Sequence, residues 1–259
     1  MKKLTSIAVL LCATLLSSCG KDAFPDITGP MAESRIKFFN FGVGAPGVYF
    51  YANNNKAAGV SGVSIVIDSK TGVVTSSTES VAGTTYGGVT AGGYYSALAA
   101  GSYDLSAKLA DTTQRATVVS KVTTTLAAGK AYSYYISGAY DAGTKTADAF
   151  VIEDNFPATI DWSQAYVRFV NAGSTSAPLT LYGTNTTTGT PEAAIGAITA
   201  YKGGSAFVAV PNGVYTIAAK DAGGVSKVTR TSVSFSSGRV YTITLRGTTS
   251  LFLDNTTNQ

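Results

Sequence analysis

The sequence predicts an all-β fold made of two tandem immunoglobulin-like Greek-key β-sandwich domains. Three observations predict it: short runs in which apolar and polar residues alternate, glycine- and asparagine-rich turns between those runs, and a pattern of residues that occurs twice. No stretch has the period of an amphipathic helix. About seven strands in each copy of roughly 100 residues is typical of an immunoglobulin-like sandwich.

The first nineteen residues predict an export signal that ends in a lipidation site. Lys2 and Lys3 precede an apolar stretch over residues 7–16, which is too short to span a bilayer as a helix. The order Leu-Ser-Ser-Cys over residues 16–19 resembles the lipobox of bacterial lipoproteins. We therefore expect a signal peptide over residues 1–18 and a lipid on Cys19. Each methylene of that lipid that is buried in the membrane contributes about 0.8 kcal/mol to membrane binding. The alternative is an ordinary signal peptide in which the cysteine is incidental.

The residues after Cys19 predict where the anchored protein lies. Gly20 stands in place of the aspartate that retains some lipoproteins at the inner membrane, so the outer membrane is the expected address, facing either the periplasm or the outside. Residues 19–33 are the predicted lipidated tether, because two prolines and a glycine break regular structure there. We favour a bare spacer. The alternative is an acidic surface-export signal, which Lys21-Asp22 matches weakly.

Composition limits the chemistry open to the mature chain. Both cysteines, Cys12 and Cys19, lie in the predicted targeting segment, and the sequence contains no histidine. Without histidine, this sequence cannot form a Ser-His-Asp site, a Cys-His site or a histidine-ligated metal centre. Loss of Lys2 and Lys3 leaves 17 Lys and Arg against 15 Asp and Glu, which is too balanced to predict a nucleic-acid partner. We expect no enzyme activity, no catalytic residue and no cofactor.

An internal repeat predicts the two domains, over residues 34–157 and 163–256. Four pairs of segments recur in the same order, and the separation within a pair falls from 131 to 112, 109 and 100 positions. Two copies of one domain with different loop lengths explain this fall, and they place an insertion in the first copy, over residues 56–85. The apolar run from Val63 to Ile67 in that insertion favours a hairpin added to the sheet edge. The paired segments are Ile36–Asn40 with Val167–Asn171, Ala100–Leu105 with Asn212–Ile217, Ala128–Tyr132 with Ser237–Tyr241, and Ile152–Asn155 with Phe252–Asn255.

Alternation along the strands predicts which tyrosines are buried. If Tyr132 and Tyr134 face the core, Tyr135 points to the opposite face and is expected to be exposed. In both copies a tyrosine, Tyr103 or Tyr215, stands two residues after a turn glycine. That spacing resembles the tyrosine corner of Greek-key sandwiches, in which the hydroxyl reaches back to upstream backbone. The alternative is ordinary packing of a β-forming residue.

The second copy resembles the family of the domain of unknown function 4397. Tyr166–Gly173, Pro178–Tyr182 and Val208–Ile217 match its R-F-V-N-A strand, its P-x-V-D-V-Y strand and its V-P-A-G-x-Y turn, with Thr180 where the family often has aspartate. The resemblance implies an immunoglobulin-like β fold and an envelope location, and it supplies no activity or catalytic residue. The first copy matches more loosely, over residues 36–41, 46–50 and 101–103.

Tyrosines and acidic residues supply the candidate sites. Tyr94, Tyr95 and Tyr135 are possible ligand contacts, because exposed aromatic side chains beside Asn and Thr loops suit sugar stacking or protein contact. The alternative is core packing with isolated surface tyrosines. Glu153-Asp154-Asn155 and Asp254-Asn255 end the last strand of each copy and offer oxygen atoms to calcium. They lack the dense spacing of a calcium loop, so we favour strand-end turns or caps and expect no metal.

These observations predict an outer-membrane-anchored lipoprotein of tandem β-sandwich modules with a non-catalytic role, either structural or ligand-binding and adhesive. The expected partners are the membrane, through the lipid on Cys19, and a glycan or another envelope protein. One alternative is an accessory subunit of a surface carbohydrate-handling complex. The other is a carbohydrate-active enzyme, which needs a cleft with two carboxylates about 5–9.5 Å apart.

Overall fold

The structure is a computed structural model that describes residues 33–58, 63–72, 74–79, 82–111, 113–114 and 116–258. The predicted signal peptide, Cys19 and nearly all of the tether lie outside these residues. The described residues form nineteen β-strands and one short 3-10 helix, Thr90–Gly93, which confirms the all-β prediction. The strands are β1 (Glu33–Asn40), β2 (Val48–Ala52), β3 (Asn55–Ala58), β4 (Val63–Ile67), β5 (Val74–Glu79), β6 (Gly88–Val89), β7 (Ser96–Ala99), β8 (Gly101–Leu109), β9 (Val118–Leu126), β10 (Ala131–Asp141), β11 (Thr146–Glu153), β12 (Gln164–Gly173), β13 (Thr180–Asn185), β14 (Thr190–Ala194), β15 (Val208–Pro211), β16 (Gly213–Lys220), β17 (Ser226–Phe235), β18 (Val240–Gly247) and β19 (Leu251–Thr257).

The strands pair in two sets that share one order. In residues 33–156, called lobe 1, the β1 sheet has the order β7-β1-β10-β11, with β6 also paired to β1, and the β2 sheet has the order β3-β2-β8-β9. In residues 164–258, called lobe 2, the β12 sheet is β15-β12-β18-β19 and the β13 sheet is β14-β13-β16-β17. The pairs β1–β10 and β12–β18 are parallel, and the other pairs in these four sheets are antiparallel. Each lobe is thus a two-sheet sandwich, which is compatible with an immunoglobulin-like Greek key.

The lobes also share their pairing register. Ile36 lies opposite Tyr132 on the parallel pair of lobe 1, and the corresponding Val167 lies opposite Tyr241 in lobe 2. On the next sheet, Gly101 pairs with Leu126 as Gly213 pairs with Phe235. The first three segment pairs of the sequence therefore occupy equivalent positions in the two lobes.

The fourth segment pair is wrong by four residues. The backbone N–H of Asp154 donates to Ala131 O at 2.7 Å, and the N–H of Asn258, not Asp254, makes the equivalent 2.7 Å bond to Val240 O. Each acceptor starts the parallel strand of its lobe. Asp154 is 23 positions from Ala131, whereas Asn258 is 18 from Val240, so lobe 1 has five extra residues in this hairpin rather than nine. Asp254-Asn255, which lies four residues earlier in β19, resembles Asp154-Asn155 and caused the misalignment.

Each lobe has an apolar core between its two sheets, and a third apolar cluster joins the lobes. In that third cluster the β1 sheet contributes Phe39, Tyr135 and Phe150, which lie against Val170 and Ala172 of β12. The expected exposure of Tyr135 is wrong, because its side chain is 0% exposed. The face of the β1 sheet that leaves the lobe 1 core is covered by lobe 2 instead of by water.

The inserted segment in lobe 1 contains the predicted hairpin but not at the predicted place. Strands β4 and β5 pair with each other in antiparallel fashion, which confirms the hairpin. Among the described residues they form a separate two-stranded sheet and pair with no strand of the sandwich. The expectation that the hairpin extends a sheet edge is therefore wrong.

Both predicted tyrosine corners are confirmed. The hydroxyl of Tyr103 donates to Ala99 O at 2.8 Å, and the hydroxyl of Tyr215 donates to Pro211 O at 2.7 Å. In each lobe the bond closes the turn that connects β7 to β8 or β15 to β16. The glycine of each turn, Gly101 or Gly213, has a φ near +150°, which glycine adopts at little cost.

Candidate functional site

A basic residue from each lobe enters the contact between the lobes. Lys37 on β1 and Arg168 on β12 hold the same register position, and their side chains are 1% and 2% exposed. The sequence pattern indicates that both leave the apolar core of their own sandwich. Because the β1 and β12 sheets face each other, the two cations meet the other lobe rather than solvent. We call the region around Lys37, Arg168, Asp154 and Asn258 the seam.

The contacts in the seam are reciprocal. Arg168 of lobe 2 reaches the end of β11 in lobe 1, where it forms an ion pair with Asp154 and donates from Nη1 to Glu153 O at 3.2 Å. Lys37 of lobe 1 reaches the end of β19 in lobe 2, where Nζ donates to Asn258 Oδ1 at 3.0 Å and to Thr257 O at 3.1 Å. Asp154 and Asn258 are equivalent positions, so each lobe inserts its cation into the same place on the other. The lobes are related by an approximate two-fold symmetry.

An aromatic ring covers each cation. The ring of Tyr95, directly before β7, lies 4.4 Å from Lys37 Nζ, and the ring of Phe207, directly before β15, lies 4.9 Å from Arg168 Cζ. A cation held against an aromatic face in a desolvated place gains about 2 kcal/mol. The hydroxyl of Tyr95 also donates to Asp154 Oδ2 at 2.7 Å, beside Ser133 Oγ, which donates to the same oxygen at 2.8 Å.

Burial sets the protonation behaviour of the seam. Loss of solvent lowers the pKa of Lys37 to about 8, with Asp154 opposing the shift and Arg168 adding to it. Burial raises the pKa of Tyr95 far above its usual value, and the nearby Asp154 carboxylate raises it further. Burial disfavours the charged form of Arg168, but the Asp154 carboxylate, together with Tyr135 and Tyr95, more than offsets this and holds the pKa of Arg168 above its usual value.

The two halves of the seam differ in charge. Arg168 meets a carboxylate, whereas Lys37 meets an amide oxygen and a backbone carbonyl. In the described part of the chain no carboxylate forms an ion pair with Lys37. Lys37 therefore lacks the carboxylate that Arg168 has, and the uncompensated positive charge of these two cations lies on the side of Asn258.

Two shallow grooves of about 340 Å³ each open along the seam at equivalent positions. The tyrosine groove is lined by Tyr94 and Tyr95 of lobe 1 and by Arg239, Thr257 and Asn258 of lobe 2. The phenylalanine groove is lined by Ile152, Glu153 and Asn155 of lobe 1 and by Arg168, Ser205 and Phe207 of lobe 2. Both grooves therefore need both lobes.

A larger pocket, of about 640 Å³, lies at the loop end of lobe 1. Its polar side chains include Asp111, Gln114 and Lys145, with Tyr140 beside them. Lys145 Nζ donates to Gln114 Oε1 at 2.9 Å, and Asp111 accepts from Thr113, so these groups already have partners.

The structure separates the three candidate tyrosines. Tyr94 and Tyr95 lie together at the tyrosine groove, where Tyr94 is 77% exposed and Tyr95 is half-buried. Tyr135 is buried between the lobes, with ring centroids 4.6 Å from Phe39 and 5.1 Å from Phe150, so it cannot contact a ligand in this arrangement. Cys19, the predicted lipidation site, lies outside the described residues.

The acidic strand ends take part in ion pairs. Asp154 directly follows β11, where its carbonyl accepts from the N–H of Phe156 at 2.8 Å, so its interpretation as a strand-end turn is confirmed, and its carboxylate also pairs with Arg168. Asp254 lies within β19 and pairs with Arg246, so the interpretation of that residue as a strand end is wrong. Within the described ranges, no group of three or more His, Cys, Asp and Glu residues is placed to hold a metal ion. No helix among those residues is long and apolar enough to cross a membrane.

The sequence contained a signal for the seam that its interpretation missed. Only 13% of the chain is charged, yet both copies place a basic residue, Lys37 or Arg168, inside an apolar strand at the same position. A cation repeated at one register position of a β-rich chain indicates a specific partner, because an unpaired buried charge is costly.

Comparison with known proteins gives a family but no detailed relative. A family model described as "Domain of unknown function (DUF4397)" matches residues 34–182, which cover lobe 1 from its second residue, β12 and the first three residues of β13. A search of curated proteins finds no match.

Two solved structures show weak likeness. The Bacillus anthracis TIE protein is 14% identical with a TM-score of 0.25; the match covers 84% of this chain and 34% of that one, so the chain spans about a third of its length. A family CBM26 module from Eubacterium rectale Amy13K, solved in complex with maltoheptaose, is 15% identical with a TM-score of 0.23, and the match covers 86% of this chain and 96% of that one.

Proposed function

The chain belongs to the DUF4397 family, and from this we propose that it is a non-catalytic ligand-binding protein of the bacterial envelope, held at the outer membrane by a lipid on Cys19. In this proposal lobe 2 is a second copy of the family's domain. Its strand order and register equal those of lobe 1, which supports that assignment. In the same proposal, residues 19–33 connect the lipid to the folded lobes.

The observation that carries the binding role is the tyrosine groove. Tyr94 exposes 77% of its surface beside Tyr95, and lobe 2 supplies the facing wall with Arg239, Thr257 and Asn258. A large exposed aromatic side chain next to hydrogen-bonding groups suits the face of a sugar ring or a partner side chain. The buried seam contacts and the apolar cluster hold the lobes together, so the groove keeps its shape.

The non-catalytic part of the proposal rests on the state of the acidic groups. The two carboxylates at the seam, Asp154 and Glu153, are engaged by Arg168 and Lys130, the latter pair at 2.9 Å. A glycosidase needs one free carboxylic acid and one free carboxylate facing a cleft. Because Asp154 and Glu153 are both held in ion pairs, they do not present a free pair of carboxylates.

Two measurements test the location. Metabolic labelling with an alkynyl fatty acid is expected to label the native protein and not Cys19→Ser. Protease treatment of intact cells, followed by immunodetection of residues 165–255, then separates the two faces. Loss of the protein from unbroken cells supports an outward-facing binding role, and survival until the outer membrane is opened supports a periplasmic one. Absence of label on the native chain contradicts the lipoprotein assignment.

A glycan and envelope-protein binding screen tests the activity. The full-length chain is expected to retain ligands that Tyr94→Ala releases, because that variant removes the exposed ring without touching either core. Tyr182→Ala is the matched control. It removes a half-buried ring from the β13 sheet that does not line the tyrosine groove, so the variant is expected to bind as the native protein does. Binding that is equal in all three proteins contradicts the assignment of the groove.

A further inference from the structure

We propose that the tyrosine groove binds a carboxylate-bearing glycan, with a sugar ring against Tyr94 and the carboxylate at Arg239 and Asn258. The inference rests on the proposed function and names the ligand class of the same site. It comes from a comparison between the tyrosine groove and its symmetry-related counterpart, the phenylalanine groove.

At the phenylalanine groove, carboxylates of the chain pair with Arg168, which lines the groove, and with Lys130, which lies next to it. Glu153 pairs with Lys130 at 2.9 Å, and Asp154 pairs with Arg168. Lys130 is the equivalent of Arg239, because the carbonyl of each accepts a 2.9 Å bond from the start of β1 or β12 and each directly precedes β10 or β18. The positive charges at this groove are therefore neutralised by carboxylates of the chain itself.

In the tyrosine groove both carboxylates are missing. Thr257 stands at the position of Glu153, and Asn258 stands at the position of Asp154. Arg239 is exposed, and its side chain makes no ion pair or hydrogen bond within the described residues. Lys37 is buried against neutral oxygen atoms. Arg239 thus lines the tyrosine groove, with Lys37 buried behind Asn258, and neither of the two carboxylates beside the symmetry-related groove has an equivalent there.

An incoming carboxylate supplies what is absent. The guanidinium of Arg239 can hold a carboxylate through two parallel hydrogen bonds, which is the geometry that arginine favours. The amide of Asn258 lies between this position and Lys37, whose excess charge lowers the energy of an anion placed nearby. The volume of about 340 Å³ lies at the small end of the range for ligand pockets, roughly 300–1,000 Å³, and suits a few sugar residues of a longer chain.

The exposed ring identifies a glycan rather than a peptide. Tyr94 is 77% exposed, and the neighbouring Thr257 offers a hydroxyl group that matches sugar hydroxyls. The amide of Asn258 beside it accepts from Lys37 through Oδ1 and donates one N–H to Thr242 Oγ1 at 2.6 Å, which leaves its second N–H for a ligand. The apolar face of a sugar ring stacks on such a platform, whereas the aspartate or glutamate of a peptide presents no ring face to it.

Calorimetric titration of the full chain as Cys19→Ser tests the inference. The probes are trigalacturonate with maltotriose as its neutral counterpart, sialyllactose with lactose as its counterpart, and triglutamate. We expect at least one acidic sugar to bind ten-fold or more tightly than its neutral counterpart and than triglutamate. Arg239→Gln is expected to weaken that binding at least ten-fold, and Tyr94→Ala to weaken it similarly.

Two substitutions taken from the phenylalanine groove sharpen the test. Thr257→Glu and Asn258→Asp each place an internal carboxylate where its counterpart has one, so each is expected to weaken binding of the acidic sugar at least ten-fold while leaving the thermal unfolding midpoint unchanged or higher. The matched control is Lys130→Gln, which alters the equivalent cation of the phenylalanine groove and is expected to leave affinity unchanged. A chain extended by Gly-Ser after Gln259 controls for the terminal carboxylate and is expected to bind equally.

The outcomes separate the inference from the proposed function. Equal affinity for acidic and neutral sugars, or no effect of Arg239→Gln, overturns the inference, although Tyr94-dependent binding of a neutral glycan still supports a ligand-binding role. Preference for triglutamate also overturns it and assigns the groove to an acidic peptide. Absence of any ligand in both this titration and the wider screen contradicts both.

Discussion

Burial of the charged Lys37 side chain is electrostatically unfavourable in the folded protein. Its ammonium group is buried with neutral acceptors, while the equivalent Arg168 meets a carboxylate. An arginine disperses its charge over a planar group and stays protonated, whereas a lysine can shed its proton when burial makes the charge unfavourable. The lowered pKa of Lys37, about 8, is the expected consequence.

The folded chain should become more stable relative to Lys37→Met as the pH rises from 7 to 10. Below pH 8 the folded seam holds a proton that it disfavours; between about 8 and the unfolded pKa of about 10.4, only the unfolded chain still holds that proton, so the unfolding free energy rises with pH. We expect a relative gain of about 2 kcal/mol, since each pKa unit corresponds to about 1.4 kcal/mol. Urea denaturation of both proteins at each pH measures it.

The other groups that face Lys37 leave this prediction intact. Arg168 keeps its charge in this pH window because its pKa is held above its usual value, and Tyr95 stays neutral because burial raises its pKa. Lys37→Arg is the control, because its guanidinium does not titrate, and its stability relative to Lys37→Met should not change with pH. An equal pH dependence for the native chain and Lys37→Met would show that Lys37 keeps its proton in the fold.

The two corners provide a prediction for the turns between strands. Tyr215→Phe removes a partly buried hydroxyl bond to Pro211 O and leaves that carbonyl without its partner, so we expect a loss of about 1 kcal/mol in unfolding free energy. Tyr103→Phe should lose less, because its bond to Ala99 O is exposed to water. Tyr182→Phe is the control, since that hydroxyl makes no hydrogen bond within the described residues. Urea unfolding of the three variants gives the order, and equal losses in Tyr215→Phe and Tyr182→Phe would contradict it.

Local sequence signals predicted the strands and corners because those features depend on neighbouring residues. Alternation marks a buried face, and a tyrosine two residues after a glycine marks a turn, so Tyr103 and Tyr215 were identified correctly. The same rule failed for Tyr135, because alternation shows that a side chain leaves its own core but not what covers the other face. A second lobe is a long-range partner, and no local period records it.

The site was predicted in part for the same reason. Tyr94 and Tyr95 were chosen as adjacent aromatic residues, and they do lie at one groove. Arg239, Thr257 and Asn258 were missed, since the facing wall comes from the other lobe. The sequence pattern pairs Asp154 with Asp254, whereas its structural equivalent is Asn258. The difference in charge between the two grooves, a carboxylate in one and an amide in the other, therefore does not appear in the repeat.

The two lobes meet as the subunits of a symmetric dimer do. A residue of one lobe contacts a residue of the other, and the equivalent contact occurs in reverse, as expected for an isologous interface. The two halves nevertheless differ in charge, because Glu153 and Asp154 of lobe 1 lie at the phenylalanine groove where lobe 2 has Thr257 and Asn258 at the tyrosine groove. The contact between the lobes is thus symmetric in its geometry but not in its charge.

If the seam behaves as such an interface, cutting the chain between the lobes should not separate them. A protease site inserted between Ala158 and Thr159, in the exposed connection, allows the folded protein to be nicked. The apolar cluster and the Arg168–Asp154 pair are expected to keep the halves in one peak on gel filtration at micromolar concentration.

Asp154→Asn supplies the critical comparison for the nicked protein. It leaves the buried guanidinium of Arg168 without a carboxylate, and breaking a buried pair in this way costs about 3–5 kcal/mol, or more than a hundred-fold in the association of the halves. Asp104→Asn, which removes a solvent-exposed pair with Lys121, should leave association unchanged. Halves that separate in the native protein, or that stay together equally well with Asp154→Asn, would mean that the connection rather than the seam holds the lobes. Retention of the native halves, with release of the Asp154→Asn halves, would place the cohesion of the molecule in the same buried charges that distinguish its two grooves.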